Sequence, residues 1–201
     1  MIDNLSLLSL PRSTIRTRLL TIPQDPLLLT GSVRLNVDPM GRYSDTAIVS
    51  ALEKVQLWPS PLATRSPSGR DANGNEFNGA DRSPDIIALD EPLHENPLST
   101  GQAQLLALAR ALLRKDECKV VLLDEATSSV DAETDGVVQA ILRAEFHGHT
   151  IVSVAHRIET VIDADQVVVL DQGRVVEVGE PGALLRGEDG IGAFRNLAGR
   201  R

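Results

Sequence analysis

Five places along this 201-residue chain carry residue types that do chemistry. Asp124-Glu125 follows directly on the apolar run Val120-Val121-Leu122-Leu123. Two adjacent carboxylates beyond the carboxyl end of a strand lie where ligands gather in open α/β sheets. There they can divide labour, one holding Mg²⁺, often through water, and the next orienting or polarising an attacking water. The plainer alternative is a pair of acids that caps the following helix. Leu98-Ser99-Thr100-Gly101-Gln102 precedes a stretch with helical periodicity. Ser99 can cap that helix, Gly101 lets another backbone approach, and the free N–H groups of the first turn favour an anion. A common capped helix start reads the same way. His156 closes the run Ile151 to Val154 and can donate to a phosphate oxygen, or it serves as a structural residue at a strand end. Gln24, between two prolines, can reach a metal or a water, or simply occupies a turn. Asp131, after Ser128-Ser129, is most simply a helix N-cap.

These residues need elements to hold them. Arg18 to Ile22 reads as a short strand that stops at Pro23, and Pro23-Gln24-Asp25-Pro26 is a turn, since two prolines do not fit a ladder or a helix interior. From Ser44 to Leu57 the set Ala47, Ile48, Ala51, Leu52 and Val55 falls on one helical face, with Ser44 as N-cap and Asp45 in the first turn. Residues 59–85 lose all apolar period under Ser, Pro, Gly, Asn and Asp, and read as an insertion or mobile loop. A helix from Gly101 to Arg114 repeats Leu105, Leu106, Ala109, Leu112 and Leu113. Val120 to Leu123 suits a parallel strand covered on both faces, and Thr150 to Val154 a second buried strand. Asp131 to Phe146 is a helix with Val137, Val138, Ile141 and Leu142 inward. Asp171-Gln172-Gly173 turns a hairpin between Gln166–Leu170 and Arg174–Val178. Strand and helix alternate through the second half, which predicts a mostly parallel sheet with helical crossovers.

Composition narrows the function classes. An apolar fraction of 42% fits a folded chain, and 2% aromatics leave the core to Leu, Val, Ile and Ala. The formal charge of -8, with Lys54, Lys115 and Lys119 the only lysines, argues against a nucleic-acid-coating surface. Cys118 is the single cysteine, which excludes an internal disulfide or a Cys-based metal site and points to a reducing compartment. No apolar run approaches the roughly 20 residues that span a bilayer. The chain does not open with a basic stretch followed by an apolar one, so no secretion signal is expected.

Taken together, in this order and spacing, the five places resemble the second half of an ATP-binding-cassette (ABC) nucleotide-binding domain. Leu98-Ser99-Thr100-Gly101-Gln102-Ala103-Gln104 and the helix after it resemble the ABC signature. Val120 to Glu125 resembles the Walker B strand, Ser128-Ser129-Val130-Asp131 the D-loop, Ala155-His156-Arg157 the H-loop and Pro23 to Pro26 the Q-loop. Ile22-Pro23-Gln24-Asp25-Pro26, Gly31 to Pro39 and Tyr43-Ser44-Asp45 look like the second nucleotide-binding domain of subfamily C exporters, the multidrug-resistance-associated type. The resemblance covers nearly the whole chain apart from about 64–85, where this sequence is longer.

The resemblance implies a P-loop NTPase-like α/β fold with a mostly parallel sheet, flanking helices and a helical signature subdomain over about 40–115, followed by the Walker B to H-loop core and a C-terminal hairpin over 116–201. It implies that Glu125 polarises the attacking water, that His156 contacts the γ-phosphate, and that Asp124 and Gln24 hold Mg²⁺ and its water. Ser99, Gly101 and Gln102, with Asp131 of the D-loop, would face ATP bound to a second nucleotide-binding domain in a head-to-tail pair. Gln24 would also lie near the transmembrane domains of an exporter, on the cytoplasmic face of a membrane. A phosphate-cradling G-x-x-x-x-G-K-[ST] loop is absent: no Gly-Lys pair occurs and the first glycine is Gly31. In the family that loop lies upstream of the segment seen here, so the chain is expected to begin inside a domain and to bind ATP poorly alone. Two other functions stand beside ATP-driven export: a remnant that hydrolyses nothing, and a soluble ABC ATPase. The subfamily C-like surroundings of Gln24 and the lack of coiled-coil heptads or basic stretches speak against the second.

Overall fold

The computed structural model describes residues 1–58, 88–93, 98–127, 130–155, 157–187 and 191–199. The insertion expected at 59–85 lies outside the described residues, as do His156 and Ser128-Ser129. Two compact units make up the chain, Met1–Val152 and Ser153–Arg201.

In the first unit the elements run α1 (Arg12–Arg18), β1 (Leu19–Ile22), α2 (Val33–Val37), α3 (Asp45–Lys54), α4 (Thr100–Arg114), β2 (Val120–Asp124) and α5 (Ala132–Glu145), and β3 (Thr150–Val154) begins there and ends two residues past its boundary. The sheet order is β1-β2-β3, and β1 pairs β2 in parallel, with Leu19 opposite Val120 and Ile22 opposite Leu123. The mixed α/β architecture expected from the alternating pattern is therefore present.

α4 is the hub. It packs on α2, α3, α5 and β1, and its residues from Gly101 to Leu112 are buried almost without a break. A helix apolar nearly all round is a core helix. Its start is fixed by a capping box, in which Ser99 Oγ accepts from the Gln102 N–H at 3.2 Å and the Ser99 N–H donates to Gln102 Oε1 at 2.9 Å. α3 starts as its sequence predicts, with Ser44 Oγ accepting from the Ala47 N–H. Ile48, Ala51 and Leu52 face inward, and Lys54 meets Glu145 at the end of α5 at 2.6 Å.

The two strand readings need correction. β2 buries Val121 and Leu123, while Val120 and Leu122 are only half-covered. β3 is exposed along its whole length, with Val152 51% and Val154 54% accessible, although the sequence predicts a buried strand. Burial of a parallel strand requires layers on both faces. The helices of this unit gather on α4 and β1 instead, and β3 lies at the open edge of the sheet.

The second unit holds β4 (Val167–Asp171), β5 (Arg174–Gly179), α6 (Pro181–Arg186) and α7 (Ala193–Ala198). Asp171 pairs Arg174 across a two-residue turn, Gln172 and Gly173, both at positive φ. That is the geometry of the tightest hairpins, whose twist matches the strands. Val169, Leu184 and Phe194 form a small core. Glu177, buried in β5, accepts from the N–H groups of Gly192 and Phe194 at 2.9 and 2.7 Å and so caps the start of α7. Among the described residues no helix is long and apolar enough to cross a membrane.

Candidate functional site

The register of β1 on β2 brings the first two candidate groups together. Ile22 opposes Leu123, so Pro23 and Gln24 leave the sheet beside Asp124 and Glu125, on strands spaced about 4.8 Å apart. Asp124 ends β2 with an exposed carboxylate, and Glu125 is half-buried one residue further on. Glu125 has φ +47°. A non-glycine residue in the left-handed region costs about 1–3 kcal/mol and persists where its surroundings fix it, often at functional positions. The strain turns the chain sharply off the strand and sets the two carboxylates in different environments. Nothing in the residue types signals this turn, since Glu is not a residue that favours it.

Ser99, Gly101 and Gln102 form the start of α4, and the structure joins them to Asp131 through one side chain. Asp131 caps α5, accepting from the Thr134 N–H at 2.9 Å and from its hydroxyl at 2.8 Å. The Thr134 backbone N–H, and then its hydroxyl, hold the Asp131 carboxyl below the usual carboxylate range. Thr134 so fixed lies directly over Gly101, where an added Cβ would meet Thr134 Oγ1 at 3.1 Å. Gly101 is small because α5 passes over it. Ser99 Oγ and the Gln102 amide oxygen are engaged in the capping box. What the first turn leaves for an anion is the pair of N–H groups of Thr100 and Gly101, which have no acceptor within the helix.

Gln24 is bound to the same helix. Gln104 Nε2, in the middle of the buried stretch of α4, donates to the carbonyls of Pro23 and Gln24. The sequence reading does not single out Gln104 or Thr134. The available signal is that Gln104 is a polar residue inside an otherwise apolar buried run.

Hard oxygen donors gather at the carboxyl edge of β1 and β2. Among the described residues no three His, Cys, Asp or Glu side chains converge on one point. Mg²⁺ does not need such a cage, since it takes one or two carboxylates and fills its octahedron with phosphate oxygens and water. Asp124, with Gln24 alongside, fits that sparse donor set.

No family model matches the chain. It is 44% identical over 187 residues to ABC multidrug transporter B of Aspergillus fumigatus, covering 93% of this chain and 11% of that protein. It is 41% identical over 194 residues to bile pigment transporter 1 of Saccharomyces cerevisiae, covering 94% of this chain and 12% of that one. Human ATP-binding cassette sub-family C member 2 shares 39% over 188 residues, or 92% of this chain and 11% of that protein. The chain thus spans about a tenth of the length of these curated relatives. A solved bacterial Atm1-family ABC exporter with ATP bound superposes with a TM-score of 0.78 at 26% identity, over 100% of this chain and 31% of that one. Identity of this depth along nearly the whole sequence, on the exporter fold, is common descent: the chain is homologous to one segment of the C-family ATP-binding-cassette transporters.

Proposed function

We propose that this chain supplies the catalytic carboxylate and the signature helix of an ATPase that drives export across a membrane. What supports the reading is the carboxyl edge of the sheet, where Ile22 opposes Leu123 just before Gln24 and Asp124-Glu125 along the two strands, together with the left-handed φ of +47° at Glu125. Glu125 polarises the attacking water as general base. Asp124 and Gln24 hold Mg²⁺ and its water, and the ion when bound neutralises charge on the phosphates. His156, which enters on sequence alone, contacts the γ-phosphate. Ser99, Gly101 and Gln102, with Asp131 behind them, present the first turn of α4 to ATP held by a second nucleotide-binding domain. α4 needs no P-loop of its own for that task, because helix N–H groups attract phosphate directly. Such a pair works beneath transmembrane domains, on the cytoplasmic face of the membrane.

Without a Gly-Lys phosphate loop, the chain by itself is expected to bind Mg-ATP weakly or not at all. Saturable binding of a fluorescent ATP analogue in the low micromolar range, on the order of -8 kcal/mol, would contradict this. A second reading is that this segment hydrolyses nothing. A chimera separates the two. The homologous segment of the yeast bile pigment transporter 1 is replaced by this sequence, and ATP turnover is measured in membranes. Turnover that survives the exchange and falls at least about a hundredfold in Glu125→Gln supports the ATPase reading. A chimera whose turnover is the same with and without Glu125→Gln overturns it.

A further inference from the structure

The segment from Pro23 to Asn36 meets α4 through side chains of the helix and carbonyl oxygens of the segment. Gln104, only 3% exposed, donates Nε2 to Pro23 O at 3.0 Å and to Gln24 O at 2.5 Å. Six positions along, Arg110 donates Nε to Asn36 O at 2.5 Å and Nη1 to Leu27 O at 2.7 Å. Asn36, itself fully buried, holds the turn between them: its Nδ2 donates to the carbonyls of Leu29 and Ser32 at 2.8 and 3.0 Å, and its Oδ1 accepts from the Leu29 N–H at 2.8 Å.

The orientation of the Gln104 amide has no alternative. Turned over, it would point an oxygen at two carbonyl oxygens, so Nε2 must face them. Oε1 is then buried with no partner among the described residues. A buried acceptor left unsatisfied is destabilising, so this amide stands where it does for what its nitrogen holds. Desolvation lowers the Arg110 guanidinium from its usual pKa, yet arginine stays charged in proteins and keeps its donors.

We propose that Gln104 is a positioning residue that fastens the backbone of Gln24 to α4, with Arg110 as the second anchor, so that residues 23–36 and the signature-like helix move as one piece. The clamp stands on this geometry alone, and only the meaning of where Gln24 is held rests on the ATPase reading. Any displacement of the start of α4 is carried directly to Gln24, and the reverse.

Hydrogen exchange on the full 201-residue chain, without nucleotide, tests the clamp, comparing native, Gln104→Glu and Gln104→Met at equal pH. At about pH 7.5 a Glu carboxylate faces two carbonyls, and exchange across 27–37, which includes the Leu29 amide, should rise at least about tenfold while α3 is unchanged. Near pH 5 that carboxyl, its pKa raised by burial and by the carbonyls, takes up a proton and donates again, so the excess should shrink to about threefold or less. Gln104→Met should accelerate the same segment alike at both pH values. A side chain that merely fills space would tolerate Met and show no pH profile. Native exchange in Gln104→Met, acceleration shared equally by α3, or a pH-independent Gln104→Glu would each overturn the proposal. If Gln104→Glu does not fold, Gln104→Met decides. Because no ATP is present, failure here is distinct from failure of the chimera.

Discussion

α4 and β3 are both apolar in sequence, and the protein treats them oppositely. α4 is surrounded by α2, α3, α5 and β1, and Leu106, Leu108 and Ala109 lose nearly all contact with solvent. β3 carries Ile151, Val152 and Val154 on an open sheet edge. The difference lies in reach. A helix of fifteen residues buries its stripes against neighbours on every side, whereas a parallel strand must borrow a layer above, a layer below and a strand beside it. α4 therefore rests on its own packing, and β3 does not.

The contrast predicts its own largest effect. Leu106→Ala, at the centre of α4, should remove about 2–5 kcal/mol through lost transfer energy and a residual cavity. That is a large share of the roughly 5–15 kcal/mol typical of a domain. Val152→Ala, on the open face of β3, should fall within about 0.5 kcal/mol of the parent. Urea melts of the two variants give the comparison directly, and similar losses in both would abolish the distinction between a packed hub and a bare edge.

A change at the carboxyl edge should act in the opposite direction. Glu125→Gly removes the Cβ that makes φ +47° costly and should raise stability by up to about 1 kcal/mol, net of the contacts the Glu side chain makes. The same change in the chimera should end ATP turnover. A gain in the urea midpoint with a loss of turnover would mark strain kept for function. A loss of both would mean that the turn is held by the Glu side chain and stores nothing.

Much of this is readable from the residues. The spacing of Leu105, Leu106, Ala109 and Leu112 gives α4, Ser99 gives its cap, and Gly173 gives the hairpin, because each is local chemistry acting within a few positions. The exposure of β3 is not readable, because an apolar run states what a strand can tolerate and not what covers it. Gln104 reaches carbonyls about eighty residues away in sequence, and no periodicity reports a partner at that distance. The left-handed Glu125 is invisible for a further reason, since the surroundings and not the residue type impose it.

Charge gives a smaller and pH-dependent effect on the packed side. Glu145, at the end of α5, accepts from Lys115 at 2.5 Å and from Lys54 at 2.6 Å, tying α5 to α3 and to the residue after α4. The Lys115 hydrogen bond, then that of Lys54, holds the Glu145 carboxyl below its usual range. A depressed carboxylate stabilises above its unfolded pKa, near about 4.3, and the contribution disappears as pH falls through the lower folded value. Lys115 is shifted up, chiefly by its hydrogen bond to Glu145, so its share is complete below about 10.4 and is lost as pH rises through the higher folded value. Glu145→Gln should therefore cost about 1 kcal/mol or less at neutral pH. The cost should fade in acid and again in strong alkali. A cost that does not vary between neutral pH and acid would assign the effect to packing.

The smallest effect concerns Gly101, where the two helix starts meet. Alanine is the better helix former, by up to about 1 kcal/mol in a helix interior and less in the first turn. Against that gain stands Thr134, whose Oγ1 and Cγ2 would lie 3.1 and 3.3 Å from the new Cβ. Contacts that close require Thr134 to move by a few tenths of an ångström. It is poorly placed to do so, because Asp131 holds its hydroxyl at 2.8 Å and its N–H at 2.9 Å. Crowding should win, so Gly101→Ala should destabilise by a few tenths of a kcal/mol, up to about 1. In a Thr134→Ala background both crowding atoms are gone, and the same Gly101→Ala should become neutral or stabilising. The sign change, read from a double-mutant cycle of urea melts, belongs to the contact between α4 and α5 and to nothing else in the chain. If Gly101→Ala costs the same in both backgrounds, Thr134 is not what keeps this position small, and the requirement for glycine must come from what approaches the helix start from outside the chain.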